Sequence, residues 1–353
     1  MRGFAILRAE VPEERARWIE LWGLWPDREV FAHPAYVSLF CDKGDRALCA
    51  AWSGEHGGVI FPLIARPIAK EPWAKVDTAH CDLTSPYGYG GPFSWGNVQA
   101  QEYWERFNAW AREAGMVSCF ARLSLFSDQH LPFDGVVERN ALNVVRSLDI
   151  EPSALWMDYE HKVRKNVKRA RSRGVVVERD QAGAHLAEFL NIYYATMGRR
   201  EASKIYYFPE TFFRNIVEGL PGQFAFFHAL LEGRVVSTEL VLVSERNIYS
   251  FLGGTLEDAF DVRPNDILKH EIILWGIEAR KSGFVLGGGY GGTDGIFNYK
   301  RSLAPGGVRP YSVGNRVWDD RAYVHLIEMR RQYEARNGNE WGPRPGFFPA
   351  YRS

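Results

Sequence analysis

The chain has 353 residues, 46% hydrophobic and 14% aromatic, with 43 Lys+Arg against 43 Asp+Glu and no formal net charge at pH 7. That composition excludes disordered, collagenous and disulfide-framework classes, and the length suffices for two lobes that each bury a core. With no net charge, a polyanionic partner must be met by a local basic patch and not by the field of the whole molecule.

The first ten residues break their apolar run with Arg8 and Glu10, so no signal-peptide core is expected there. No later stretch approaches the length of a membrane span, and a cytoplasmic protein is expected. Cys41, Cys49, Cys81 and Cys119 form no C-x-x-C pair and no zinc-ligand spacing. They read as buried free thiols, with no metal site. Residues 47–52 and 59–64, separated by a turn at 53–58, read as the strands of a hairpin. An amphipathic helix follows, with Tyr103, Phe107, Trp110, Ala111 and Ala114 on one face, a stop at Gly115 and a strand at 116–121.

In the middle of the chain, Trp156, Tyr159, Val163, Val167 and Ala170 fall at helical spacing and form an apolar stripe. Lys162, Arg164, Lys165, Lys168, Arg169, Arg171 and Arg173 crowd the other faces. Gly174 reads as a left-handed helix stop before a strand at 175–177. Such a one-signed surface is either a solvated face or a site for a nucleic-acid backbone.

The hairpin pattern then returns. Strands at 224–231 and 235–243 flank Glu232-Gly233, a helix carries Ile267, Leu268, Ile272 and Trp275 and stops near Gly283, and a strand follows at 284–286. The order hairpin, helix, glycine, strand thus occurs twice, which predicts a duplicated α/β fold with mixed sheets. Residues 337–343 are too rich in Gly and Pro for regular structure, and Trp341, Phe347, Phe348 and Tyr351 are expected to pack an extended tail back on the body.

Gly287, Gly289 and Gly292 formally match G-x-G-x-x-G, but residues 293–301 read as loop and short strand, not as the helix a dinucleotide site needs. Asn265 reads as the N-cap of the second apolar helix with Asp266 in its first turn; Arg263 and the helix start are either capping alone or a phosphate site. No serine elbow, H-E-x-x-H or P-loop is present, which leaves direct transfer chemistry.

These residues resemble the Fem family of peptidoglycan bridge-forming aminoacyltransferases and its acetyltransferase-like relatives of cell-envelope and polysaccharide gene sets. The resemblance spans nearly the whole chain. It rests on SPYGYGGP at 85–92, VRKNVKRA at 163–170 with Gly174-Val175, TMGR at 196–199, Tyr249 with Gly253-Gly254, and GIFNYK at 295–300. It implies two tandem GNAT-like lobes of the acyl-CoA N-acyltransferase-like fold, the first at 1–152 with the tail 320–353 returning to it, and the second, reaction-bearing lobe at 153–319. Tyr299 and Lys300 match the family's Phe-Lys pair beside the reacting carbonyl. Arg199, Lys204 and Tyr207, with Tyr249 across the groove, match acceptor positions. Tyr36 stands near an N-terminal lysine with which some members grip a nucleotide-linked acceptor, and no lysine is at hand there.

The implied donor is aminoacyl-tRNA, lying along Lys162, Arg164, Lys165, Lys168 and Arg169 and near Arg263 and Asn265. GNAT enzymes that use acyl-CoA hold its pyrophosphate on a glycine-bearing loop, whereas residues 260–265 here contain no glycine and include Pro264, which lacks an N–H. The implied acceptor is an amine of a peptidoglycan precursor, a peptide or a small metabolite, with no DNA partner and no bound cofactor. The alternatives are an acetyl-CoA-dependent N-acyltransferase acting on an amino sugar and a non-catalytic RNA- or polysaccharide-binding relative.

Overall fold

A computed structural model describes residues 3–75, 79–290 and 292–353; Gly291 of the glycine-rich run lies outside them. The chain opens with β1 (Gly3–Arg8), α1 (Pro12–Leu24), α2 (Pro34–Ser38), the hairpin β2 (Arg46–Ser53) and β3 (Gly57–Pro67), β4 (Cys81–Thr84), β5 (Phe93–Gly96), α3 (Ala100–Glu113) and β6 (Met116–Arg122). Next come β7 (Val136–Ser147), α4 (Pro152–Asp158), α5 (His161–Ser172), β8 (Val176–Asp180), α6 (Leu186–Arg199) and α7 (Glu210–Gly219). The remainder is the hairpin β9 (Phe224–Leu231) and β10 (Arg234–Val243), β11 (Asn247–Thr255), α8 (Pro264–Glu278), β12 (Gly283–Gly287), α9 (Gly295–Leu303), β13 (Val308–Val317) and α10 (Asp320–Arg336).

The chain divides into two units. The first holds Met1–Pro26, Phe31–Asn140 and Tyr311–Ser353; the second holds Asp27–Val30 and Ala141–Pro310. In the first, β1, β2, β3 and β4 are antiparallel neighbours, β4 runs parallel to β6, and β13 lies antiparallel to β6. In the second, β8, β9, β10 and β11 are antiparallel, β11 runs parallel to β12, and β7 lies antiparallel to β12. The expected repeat is therefore present in the topology, with α3 and α8 each linking the parallel strands of its unit. The strand after β6 pairs in the second unit and the strand after β12 in the first, so the last strand is exchanged.

Local chemistry explains most boundaries. Glu232 (φ 52°) and Gly233 (φ 79°) both adopt the left-handed conformation that a two-residue hairpin turn requires. At the end of α5, Gly174 has φ 79°, its N–H donates to Arg171 O and the Val175 N–H to Ala170 O, each at 3.1 Å. This is the doubly bonded glycine stop expected there. Val163, Val167 and Ala170 are buried in the second unit's core, along with Leu268, Ile272 and Phe284.

Six expectations need correction. The basic helix is not continuous with the residues before it: Tyr159 and Glu160 are extended and separate α4 from α5, and the Glu160 N–H donates to Ser302 O. The second apolar helix stops at Glu278, where Arg280, at φ 54°, takes the place expected of a glycine. Lys281 N–H closes on Gly276 O and its Nζ donates to Ser244 O and Glu245 O, contacts that offset the cost of a left-handed arginine. Residues 295–303 form α9 in place of loop and strand, because Asp294 caps it by accepting from the Phe297 N–H at 2.8 Å. Asn265 is not an N-cap; Arg263 occupies that position at φ 62°, ahead of Pro264. Of the cysteines, Cys49 and Cys119 are buried free thiols, whereas Cys41 and Cys81 are half-buried. In the tail, Tyr351 is fully buried, while Phe347 is 40% exposed.

Gly254 illustrates how closely β11 approaches α6. A Cβ there would lie 2.2 Å from Thr196 Oγ1 and 3.0 Å from Ile192 O. Gly254→Ala is therefore expected to destabilise the protein by about 1–3 kcal/mol. Thr196→Ala should restore part of the loss, since the buried Thr196 Oγ1 has no hydrogen-bond partner among the described residues. Urea melts of the single and double variants check this.

Candidate active site in the second unit

Parallel pairing of β11 with β12 covers only 247–249 against 283–285. Residues 250–255 continue along β10 alone, so the two strands part beyond Tyr249 and Val285. Ser250 and Gly288 both follow the last paired residues and lie at this parting end. Each receives a lysine: Lys269 Nζ, from α8, donates to Ser250 Oγ at 2.8 Å, and Lys300 Nζ, from α9, donates to Gly288 O at 2.7 Å.

Lys269 is 6% exposed and pairs with Glu239, itself 4% exposed, on β10. Lys300 is half-buried. Burial, and next the neighbouring Lys269 ammonium, push its pKa down to about 8, against the opposing pull of Glu239 and Asp294. It is thus a cation at neutral pH that sits close to its titration point.

Behind Lys300, Tyr299 Oη accepts from Asn265 Nδ2 at 2.9 Å and donates to Asn265 O at 3.4 Å. Burial drives the Tyr299 phenol well above its ordinary pKa, so it stays neutral. Asn166 Nδ2 donates to Asp266 Oδ1 at 3.2 Å, and burial raises the Asp266 pKa against the pull of Asn166, Arg263 and Lys162. These bonds tie the start of α8 to α5 on one side and to α9 on the other.

The other sequence-derived residues fall into different settings. Tyr249 is buried and donates to Glu29 Oε2 at 2.8 Å, while Asn247 Nδ2 donates to Glu29 Oε1. Arg199 donates to Thr255 O and stacks over Phe260. Lys204, in a short 3-10 turn, and Tyr207 just after it are exposed. Arg263 is exposed at the start of α8. On α5, Arg164 is bound to Met157 O and Tyr159 O, Arg169 lies 3.7 Å from Asp261, and Lys168 sits over Trp156. Lys162 and Lys165 are exposed. Tyr36 belongs to the first unit, where it is fully buried and donates to Tyr87 O at 2.8 Å.

Sequence reasoning missed Lys269, Glu239, Asn166 and Glu29. The available signal was a lysine inside a helix whose neighbours Ile267, Leu268, Ile272 and Ile273 are apolar, together with a glutamate inside an apolar strand. Charges so placed are rarely buried unless they pair. Among the described residues no group of three or more His, Cys, Asp or Glu is placed to hold a metal ion, and no helix is long and apolar enough to cross a membrane.

Residues 158–301 match the acetyltransferase (GNAT) domain family. The fold is that of FemX: the structures align with a TM-score of 0.66 at 13% identity over 89% of this chain and 98% of that one. The C-terminal domain of a putative lysylphosphatidylglycerol synthetase from Agrobacterium fabrum aligns with a TM-score of 0.55 at 14% identity, over 89% of this chain and 96% of that domain. A conserved protein of unknown function from Bacteroides thetaiotaomicron aligns at 0.54 with 10% identity, over 90% of this chain and 100% of that one. Comparison with curated protein sequences finds no match. The chain thus shares the fold of FemX, and the match to the GNAT domain family lies within its second unit.

Proposed function

We propose that this protein transfers an aminoacyl group from aminoacyl-tRNA to an amine of a peptidoglycan precursor, a peptide or a small metabolite, in the cytoplasm. The observation that carries the proposal is Lys300, a half-buried cation on Gly288 O at the parting end of β11 and β12. An attacking amine of pKa near 10 is almost wholly protonated at neutral pH, and freeing its lone pair costs about 4–5 kcal/mol. The cation disfavours the acceptor's ammonium form. Once the nitrogen has added to the ester carbon, the same cation stabilises the oxyanion formed on the carbonyl oxygen. Collapse breaks the ester C–O bond, and the leaving ribose hydroxyl takes up the amine's proton, so no separate general base is required.

The start of α8 supports an aminoacyl ester over acyl-CoA. Pro264 has no N–H, the Asp266 N–H is used on Arg263 O, and the Asp266 carboxyl is buried in the first turn. Few donors remain there for a pyrophosphate. The exposed Lys162 and Lys165 on α5 supply a surface for the tRNA backbone. Lys162→Glu with Lys165→Glu is expected to weaken tRNA binding about tenfold at moderate salt and to make the slope of log affinity against log salt shallower by about 2. Filter binding across a salt series measures both.

The second reading is transfer from acetyl-CoA to an amino sugar, which the GNAT domain match favours. The deciding experiment incubates the protein with labelled aminoacyl-tRNA or labelled acetyl-CoA and a panel of amines. Amine-dependent consumption of aminoacyl-tRNA is the expected result. Consumption of acetyl-CoA with aminoacyl-tRNA untouched establishes the second reading, and consumption of neither leaves a binding protein that has kept the fold.

A further inference from the structure

The first unit contains a cavity of about 590 Å³ on the face of β4, β6 and β13 closed by the C-terminal segment. The candidate active site uses none of its residues. Its wall includes Arg66, Arg122, Arg352, Asn315, Phe120 and Phe347. Beneath it lies Asp82, fully buried on β4, which accepts from Arg66 Nε at 2.7 Å, from Arg352 Nε, and from Tyr351 Oη at 3.2 Å. One carboxylate therefore pins two guanidiniums through their Nε atoms, and Glu71 takes Arg352 Nη1. Arg122 is held by Ser85 O and stacks on Phe120 at 5.0 Å.

Two polar atoms are left over. Arg352 Nη2, a donor, and Asn315 Oδ1, an acceptor, are buried without a hydrogen-bond partner among the described residues. Both atoms are shut off from solvent, so the groups left to meet a ligand are the half-buried guanidiniums of Arg66 and Arg122. Lys70 is neutralised by Asp45, and the same lining also carries Asp42, Glu138 and Arg139. The signs nearly balance, so recognition rests on fixed guanidinium forks and not on a strong net field. That suits one oxyanion on a small molecule and does not suit a polyanion. The volume is that of an ordinary small-ligand pocket.

We propose that this cavity binds a small organic molecule that presents one oxyanion, carboxylate or phosphate, to Arg66 and Arg122, and a flat apolar body to Phe120 and Phe347. The test is calorimetric titration of the full chain with 4-hydroxybenzoate, 4-hydroxyphenyl phosphate, inorganic phosphate and, as the cationic counterpart, 4-hydroxybenzylamine. Saturable binding of either aromatic acid with a Kd of about 1 mM or tighter is expected, and the acid preferred assigns the oxyanion as carboxylate or phosphate. Arg122→Gln and Phe347→Ala should each weaken it at least about fivefold, which corresponds to the loss of one charge-assisted bond or one ring contact. Arg352 is left intact because it also holds the C-terminal segment; Phe347, 40% exposed, can be truncated without opening the core. The proposal is overturned if neither acid binds, if the amine or inorganic phosphate alone binds as tightly as the acids, or if folded Phe347→Ala binds as the parent does.

Discussion

Lys300→Met is expected to raise the melting temperature by a few degrees at pH 7 while lowering turnover by about 10²–10³. The stability part follows from linkage. Burial and Lys269 lower the Lys300 pKa from 10.5 to about 8, so between those values the unfolded chain binds more protons than the native one. Stability then rises with pH through that window, and below it the protein carries the whole cost of a buried ammonium, up to about 3 kcal/mol. Methionine keeps the stem and removes the charge, so its advantage should be largest at or below pH 7 and vanish above about pH 10.5. The turnover part follows from removing the oxyanion's partner, with acceptor binding nearly unchanged. Lys300→Arg, which stays charged, should keep part of the activity and lose the alkaline fall near pH 8 that is expected of the parent. Thermal melts from pH 6 to 11 and donor turnover over the same range read both effects. If Lys300→Met melts lower than the parent at every pH, the lysine is a structural prop; if turnover is unchanged, it has no part in the chemistry.

The same contrast explains what the sequence could and could not reveal. Hairpins were legible because each is a local pattern: apolar runs around a turn whose residues tolerate left-handed angles, as at Glu232-Gly233. So was α5, whose stripe and glycine stop lie within one stretch of chain. The helix that carries Lys300 was not, because residues 287–295 are dominated by glycine and its only strong start signal is Asp294. The stop of α8 was hidden for the opposite reason: an arginine holds the left-handed position, and the next residue, Lys281, is anchored by Ser244 O and Glu245 O in the turn after β10. The paired charges were illegible for a third reason. Glu239 and Lys269 are 30 residues apart, and Asp82 and Arg352 are 270 apart. The apolar neighbours of Glu239 and Lys269 mark each as a charge out of place, but only the fold identifies its partner.

Glu239→Gln is expected to cost about 3–5 kcal/mol, the largest effect of any single substitution considered, because it leaves the Lys269 ammonium buried against a neutral amide. Ser250 Oγ supplies one acceptor but no charge. Adding Lys269→Met should return most of that stability, since removing both members of a buried pair is far cheaper than removing one. The Lys300 titration separates a tuning role from a purely structural one. Glu239 raises the Lys300 pKa and Lys269 lowers it, with Lys269 the stronger of the two. In Glu239→Gln the alkaline fall in turnover should therefore move below pH 8, and in the double variant it should move above. Urea melts and turnover-pH profiles of the three proteins decide the matter. Recovered stability with an unmoved profile would make the pair a structural bridge without influence on Lys300, whereas opposite displacements would make Glu239 and Lys269 the residues that set its charge.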